Sequence, residues 1–219
     1  MRKTVLFALL PVLFSAVAPG NAQGKRYYIQ SGVIEYTVSG AQTGTEVLYF
    51  DRWGMREAKY TNTEIKMMGM SQKQNKLTIT EDEWITTIDL DRRTGTKMRN
   101  TVVKEMLEKS GSKDLAELGE NMMKAMKAVK VGSANVAGKT CDVWEIKDLG
   151  STNCVWNWIP LKTQVKMAGV EIVMVAAKVQ EGGPVPDSKF AVPAGVKISE
   201  GRDPTDVLRE LQGKMKGQN

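Results

Sequence analysis

Between Tyr27 and Leu90 apolar and polar residues alternate in short runs divided by turn residues, the period-two pattern of strands in an antiparallel meander. The runs at 29–38, 46–50, 55–60, 64–68, 76–80 and 84–90 each predict a strand, with Ser39, Gly40, Gly44 and the stretch 51–54 among the turns. The period then changes. Leu115, Leu118, Met122, Met126 and Val129 recur at steps of three and four, which places them on one face of an amphipathic helix. Asp114 followed by Glu117 makes a capping box, and Val102, Val103, Met106 and Leu107 form a shorter stripe upstream. Ser110, Gly111 and Ser112 separate the two stripes, so the segment 101–131 predicts a helical insert of two helices. Alternation resumes at 140–146, 154–158, 162–167 and 170–179, with further strand segments at 190–192 and 193–198. The fold class this predicts is α+β, a sheet interrupted by a helical insert.

The ends follow other rules. Arg2 and Lys3 precede an apolar run from Val5 to Ala18, then Pro19, Gly20, Asn21 and Ala22, the layout of a signal peptide over 1–22. The run is shorter than the roughly 20 residues of a membrane-spanning helix. The expected product is a single domain over 23–199 that is soluble and periplasmic, and not membrane-spanning. No cysteine follows the apolar run to carry a lipid anchor. Over 200–219, Asp203 and Pro204 open a tail or short helix with Leu208, Leu211 and Met215 on one face.

Composition narrows the chemistry. There is no histidine in 219 residues, which excludes an imidazole base, a histidine triad and histidine metal ligation. No Gly-x-Ser-x-Gly elbow, Ser-x-x-Lys pair or phosphate loop is present, and the carboxylates at 81–91 suit solvated turns. The expectation is a protein that is not an enzyme and takes no cofactor or resident metal. Net charge is +6, falling to about +4 once Arg2 and Lys3 leave with the leader. Its basic residues are interleaved with acidic ones, so nucleic acid is not an expected partner.

Cys141 and Cys154, the only two cysteines, lie on adjacent predicted strands in a chain bound for an oxidising compartment. Their spacing predicts a cross-strand disulfide, with two buried thiols as the alternative; a bridge would place Trp156 and Trp158 on the face of Cys154. The 13 methionines cluster around Met67–Met70 and Met122–Met126. They suit an adaptable apolar surface or an ordinary core, and a thioether Cu(I) site is a third reading.

The run Trp156-Asn157-Trp158-Ile159-Pro160-Leu161-Lys162 follows Gly138-Lys139-Thr140-Cys141 and precedes Phe190-Ala191-Val192-Pro193-Ala194-Gly195. In this arrangement the chain resembles exported proteins with the LolA/LolB-like lipoprotein-carrier fold, over about residues 27–199. The resemblance implies an antiparallel half-barrel of about 10–11 strands with the helical insert covering its concave face. It implies a ligand as well: an apolar small molecule, lipid or acyl chain. The candidate lining is Met67, Met70, Trp84, Met106 and Leu118, together with Met122, Met126, Trp156 and Trp158. An envelope protein partner on the same surface is the alternative function.

Overall fold

The computed structural model describes residues 25–67, 70–167, 169–204 and 206. The expected signal peptide at 1–22 and the apolar face of the tail at Leu208, Leu211 and Met215 lie outside the described residues.

Among the described residues twelve strands form a single open, curved sheet. The first six are β1 (Gly32–Gly40), β2 (Gln42–Asp51), β3 (Arg56–Met67), β4 (Met70–Glu81), β5 (Trp84–Asp89) and β6 (Thr94–Arg99). Helices α1 (Val102–Ser110) and α2 (Leu115–Ala125) follow. Then come β7 (Val129–Val136), β8 (Lys139–Ile146), β9 (Ser151–Trp156), β10 (Ile159–Met167), β11 (Val170–Glu181) and β12 (Lys197–Glu200). The order across the sheet is β12-β6-β5-β4-β3-β2-β1-β11-β10-β9-β8-β7. The chain therefore starts in the middle, meanders to one edge, crosses to the other edge through the helices, and meanders back until β11 pairs antiparallel with β1. Only β12 departs from this, pairing parallel with β6.

Alternation explains β1 well, where Ile34, Tyr36 and Val38 are buried and Glu35, Thr37 and Ser39 exposed. Other segments correct the sequence reading. The described parts of the runs expected at 55–60 and 64–68, residues 56–60 and 64–67, belong to one strand, β3, because Asn62 sits in its middle opposite Asn75 of β4 rather than in a loop. Val129 belongs to β7, not to the helix: Lys127 takes φ 55, which ends the helical path, and Val129 pairs with Glu145 of β8. The segment 190–192 is no strand, since a 3-10 turn occupies Asp187–Phe190. β6 was not expected, having only Met98 as a large apolar residue.

The sheet has a core on each face. One gathers Ile34, Tyr36, Leu48, Phe50, Ile159, Leu161 and the bridged Cys141 and Cys154. The other packs Phe190 on Ala58, Leu77, Ile79 and Ile88. Register shows why they are separate. Leu48 stands opposite Lys59, so Ala58, one residue away, faces the other side. Each fully buried Phe, Ile or Leu contributes about 1.5–3 kcal/mol of transfer free energy. The Phe190 segment is held by Arg56, which pairs with Asp51 and Asp187 and lies 4.2 Å over the Phe190 ring, and by the Tyr60 hydroxyl donating to the Lys189 carbonyl at 3.0 Å.

Candidate functional site

Three turns meet at one end of the sheet: Arg52–Gly54 between β2 and β3, residues 82–83 between β4 and β5, and Asn157 with Trp158 between β9 and β10. The segment 25–30 is bonded to the first and third of them. The N–H groups of Arg26 and Tyr27 both donate to the Trp53 carbonyl at 3.0 Å, and that of Tyr28 donates to the Asn157 carbonyl at 3.2 Å. Gly54, at φ 80, lies under the Tyr27 ring, where a Cβ would come within 2.5 Å of a ring carbon. The Tyr27 ring in turn meets Phe50 edge-on, with centroids 5.0 Å apart.

The helical insert rests on this end. The Ala116 N–H donates to the Lys25 carbonyl at 2.9 Å, and Gly119 faces the Trp158 ring. Asp114 caps α2 by accepting from the Glu117 N–H at 2.9 Å, while Glu117 reaches back to the Lys113 N–H, and only Ala116 and Leu118 of this helix are buried. Asn100 leads into α1 by accepting from the Val102 N–H at 3.3 Å. Arg99 donates to Glu83 at 2.7 Å and thereby holds that carboxyl below its usual range. No residue of α1 is fully buried, although Val103 and Met106 belong to its apolar stripe.

Two cavities lie along this end on one face of the sheet. The first, of about 330 Å³, opens beneath the helices between Met55, Val103, Leu107 and Leu115, with Asp82, Glu83, Asn100 and Lys104 around it. The second, of about 290 Å³, is lined by Tyr27, Tyr36, Glu46, Leu48, Glu57, Lys59, Thr78, Thr80, Pro160 and Met174. They are neighbours. Glu57 is two residues beyond Met55 along the chain and Thr80 two before Asp82, a step of about 7 Å in a strand.

The second cavity mixes polar and apolar side chains. Glu57 is 9% exposed; one oxygen accepts from Arg26 at 2.9 Å and the other, Oε1, is buried. Glu46 accepts from the Thr61 hydroxyl at 3.1 Å and has Lys59 at 3.9 Å. The Tyr36 hydroxyl donates to the Pro160 carbonyl at 3.1 Å. Burial first, and then the charge of Glu57 and a hydrogen bond to its side chain, push the Tyr27 phenol well above its ordinary pKa; burial does the same for Tyr36, with Glu46 adding to it. Both stay protonated donors at neutral pH.

None of the nine residues expected as lining borders either of these two cavities. Leu118 is buried at the α2 contact and Trp156 and Trp158 are half-buried at the same end. Met126, also half-buried, follows α2, while Met106 and Met122 are 39% and 41% exposed. Trp84 is 43% exposed and belongs to the opposite face, alternating with Ile85, which pairs with Thr80; Lys97 lies 4.8 Å over its ring. Met67 and Met70 pair at the tip of the β3–β4 hairpin, eleven residues and so about 36 Å along the strand from Arg56, at the end of β3 opposite the turn Arg52–Gly54. Trp158 does not extend the strand of Cys154: it and Asn157 form a two-residue turn at φ 63 and 49. Cys141 and Cys154 are bridged, with Cα atoms 5.3 Å apart.

Glu46 and Glu57 escaped the sequence reading. A signal existed, because Glu46 falls in step with Leu48 and Phe50, the buried positions of β2.

No family model matches the chain, and no curated protein matches it. Among solved structures, an uncharacterized conserved protein from Thermus thermophilus is 7% identical over 77% of this chain and 90% of its own, with a TM-score of 0.49. MucB, in a crystal structure of its complex with MucA(peri), is 12% identical over 77% of this chain and 56% of its own, with a TM-score of 0.46. LprF from Mycobacterium bovis is 10% identical over 78% of this chain and 91% of its own, with a TM-score of 0.37. The chain thus spans little more than half the MucB chain. At these identities and scores the likeness is a distant one of chain course and assigns no function.

Proposed function

We propose that this protein is an exported, non-catalytic binding protein that carries an apolar ligand, a lipid or acyl chain, in the cleft between the helical insert and the turn end of the sheet. One observation carries the reading: α1 has an amphipathic sequence, yet buries none of its apolar residues completely and stands over an open cleft of about 330 Å³. A short helix is marginal in water unless its apolar stripe is covered. The cleft is of the size that small-molecule sites have, and its floor and roof at Met55, Val103, Leu107 and Leu115 are apolar. The complete lack of histidine favours binding over catalysis. The exported character rests on the leader pattern of 1–22 and on the bridged cysteines.

Exposure of Val103, Met106 and Met122 favours a second reading, in which an envelope protein docks on the insert. Native mass spectrometry of protein purified from its own envelope without detergent separates the two. A lipid-sized adduct supports the carrier. A ligand-free chain that also fails to bind a fluorescent fatty acid overturns it.

A further inference from the structure

Every exposed aromatic side chain among the described residues lies at the turn end of the sheet. Tyr28 is 54% exposed, Trp53 36% and Trp84 43%, whereas the other described Phe, Tyr and Trp residues are buried or half-buried. Large aromatic side chains are normally well covered, so three left open at one end call for a cause. Trp53 sits in the turn between β2 and β3, and its N–H donates to the Gln30 carbonyl at 2.9 Å, beside Tyr28. Trp84 opens β5 next to residues 82–83, and the Asp82 N–H donates to the Met55 carbonyl at 3.0 Å, which ties the two turns together.

Each indole also carries a lysine. Lys25 lies 5.1 Å over Trp53 and Lys97 lies 4.8 Å over Trp84. The acids of this end are taken by arginines instead: Glu57 by Arg26, Glu81 and Asp82 by Arg52, and Glu83 by Arg99. Among the described residues Lys25, Lys97 and Lys104 of α1 form no salt bridge. Three lysines without an ion pair thus stand at the same end as three open rings.

We infer that this end docks on the surface of a lipid bilayer, with Tyr28, Trp53 and Trp84 seated in the headgroup layer and Lys25, Lys97 and Lys104 against lipid phosphates. That layer favours tyrosine and tryptophan, which are apolar in body and polar at one point, and its phosphates complement the lysines. The rings are spread rather than clustered. By strand order Trp84 on β5 and Trp53 between β2 and β3 are about 12 Å apart, a breadth that suits a surface and not a pocket. A protein partner fits less well, because covering either indole would desolvate the ammonium lying on it, and protein interfaces are poor in lysine. The docking goes beyond the carrier reading and does not depend on it. The two meet at the cleft under α1, which Met55, Asp82 and Glu83 of these same turns help to bound and which docking brings to the bilayer.

The test is sedimentation of the mature protein with vesicles, either of phosphatidylcholine alone or containing phosphatidylglycerol. Binding to the phosphatidylglycerol vesicles is expected, weakened about five-fold by each of Lys25→Gln, Lys97→Gln and Lys104→Gln, as the loss of one lysine near an anionic surface gives. Lys73→Gln removes the same charge near the other end of β4, opposite Glu64, and leaves binding unchanged. All four lysines are exposed, so these variants keep the fold. Lipids brominated just below the headgroup quench the fluorescence of the bound protein, and Trp53→Phe and Trp84→Phe each reduce that quenching. An equal loss from Lys73→Gln, equal binding to both kinds of vesicle, or quenching that both tryptophan variants retain overturns the assignment of this end. Failure to bind either kind of vesicle overturns docking altogether, while fatty-acid binding in solution decides the carrier reading separately. Vesicle binding without fatty-acid binding upholds the docking and removes the carrier.

Discussion

Gly119 of α2 lies against the indole of Trp158, at a separation where a Cβ on Gly119 would stand 3.5 Å from the nearest ring atom. That is an ordinary contact distance, so the helix does not need glycine there for space. Glycine inside a helix costs about 0.5–1 kcal/mol relative to alanine. Gly119→Ala is expected to raise stability by about that amount. Urea denaturation checks it, and a lower midpoint would mean that the indole needs the glycine as its bed.

The bridge between Cys141 and Cys154 closes a loop over a sequence separation of 13. On the chain-entropy account, a ring of this size stabilises by about 3 kcal/mol. Denaturation with and without reductant is expected to differ by that much. A far smaller difference would show that the β8–β9 hairpin already restrains the unfolded chain.

Tyr27 and Tyr36 set the alkaline limit. Both phenols have pKa values raised by burial, so above about pH 10 the unfolded chain loses protons that the folded chain keeps. Their contribution is intact below about pH 10 and is lost as pH rises toward the folded values. Stability should fall with pH from about 10 upward, and tyrosinate absorbance from these two residues should arise together with unfolding. Tyr27→Phe and Tyr36→Phe should each remove amplitude from that step. Ionisation of both in a folded protein, followed by circular dichroism in the same titration, would contradict this.

The cleft and the core should respond differently to truncation. Ile88→Ala, in the core under Phe190, is expected to cost about 2–5 kcal/mol. Leu107→Ala, in the wall of the cleft, should cost less than about 1.5 kcal/mol and weaken fatty-acid binding several-fold. Chemical denaturation and ligand titration on the same preparations measure both. A large stability loss at Leu107 with unchanged binding would make α1 a purely structural element.

Much of the sheet was legible because alternation reports burial directly, as in β1 with Ile34, Tyr36 and Val38. The capped start of α2 at Asp114 and the pairing of Cys141 with Cys154 were equally local, and both are present. Illegibility began where tertiary context overrides local pattern. Asn62 resembles a turn residue, but pairing with Asn75 keeps it in a strand. Val129 continues a helical period, yet a left-handed Lys127 and pairing with β8 put it in the sheet. The candidate site suffered most. A run of methionines marks apolar surface without saying which end of a strand it occupies, so Met67 and Met70 were grouped with the helices although they lie a full strand length from Arg56. Glu57 was invisible because what singles it out, a buried carboxylate beside a cavity, is a property of the assembled fold.

The pairing of β1 with β11 has a consequence for how the chain is made. Gly32 is bonded to a partner as distant as Glu181, so the first strand to emerge during synthesis waits for nearly the last before both of its edges are satisfied. Until then β1 presents a row of open backbone groups, the template on which other chains aggregate. Contacts this far apart along the sequence also form slowly. The nascent protein is thus most vulnerable as residues 170–181 are being delivered, and a chain truncated before them would be left with its central strand as a permanent sticky edge.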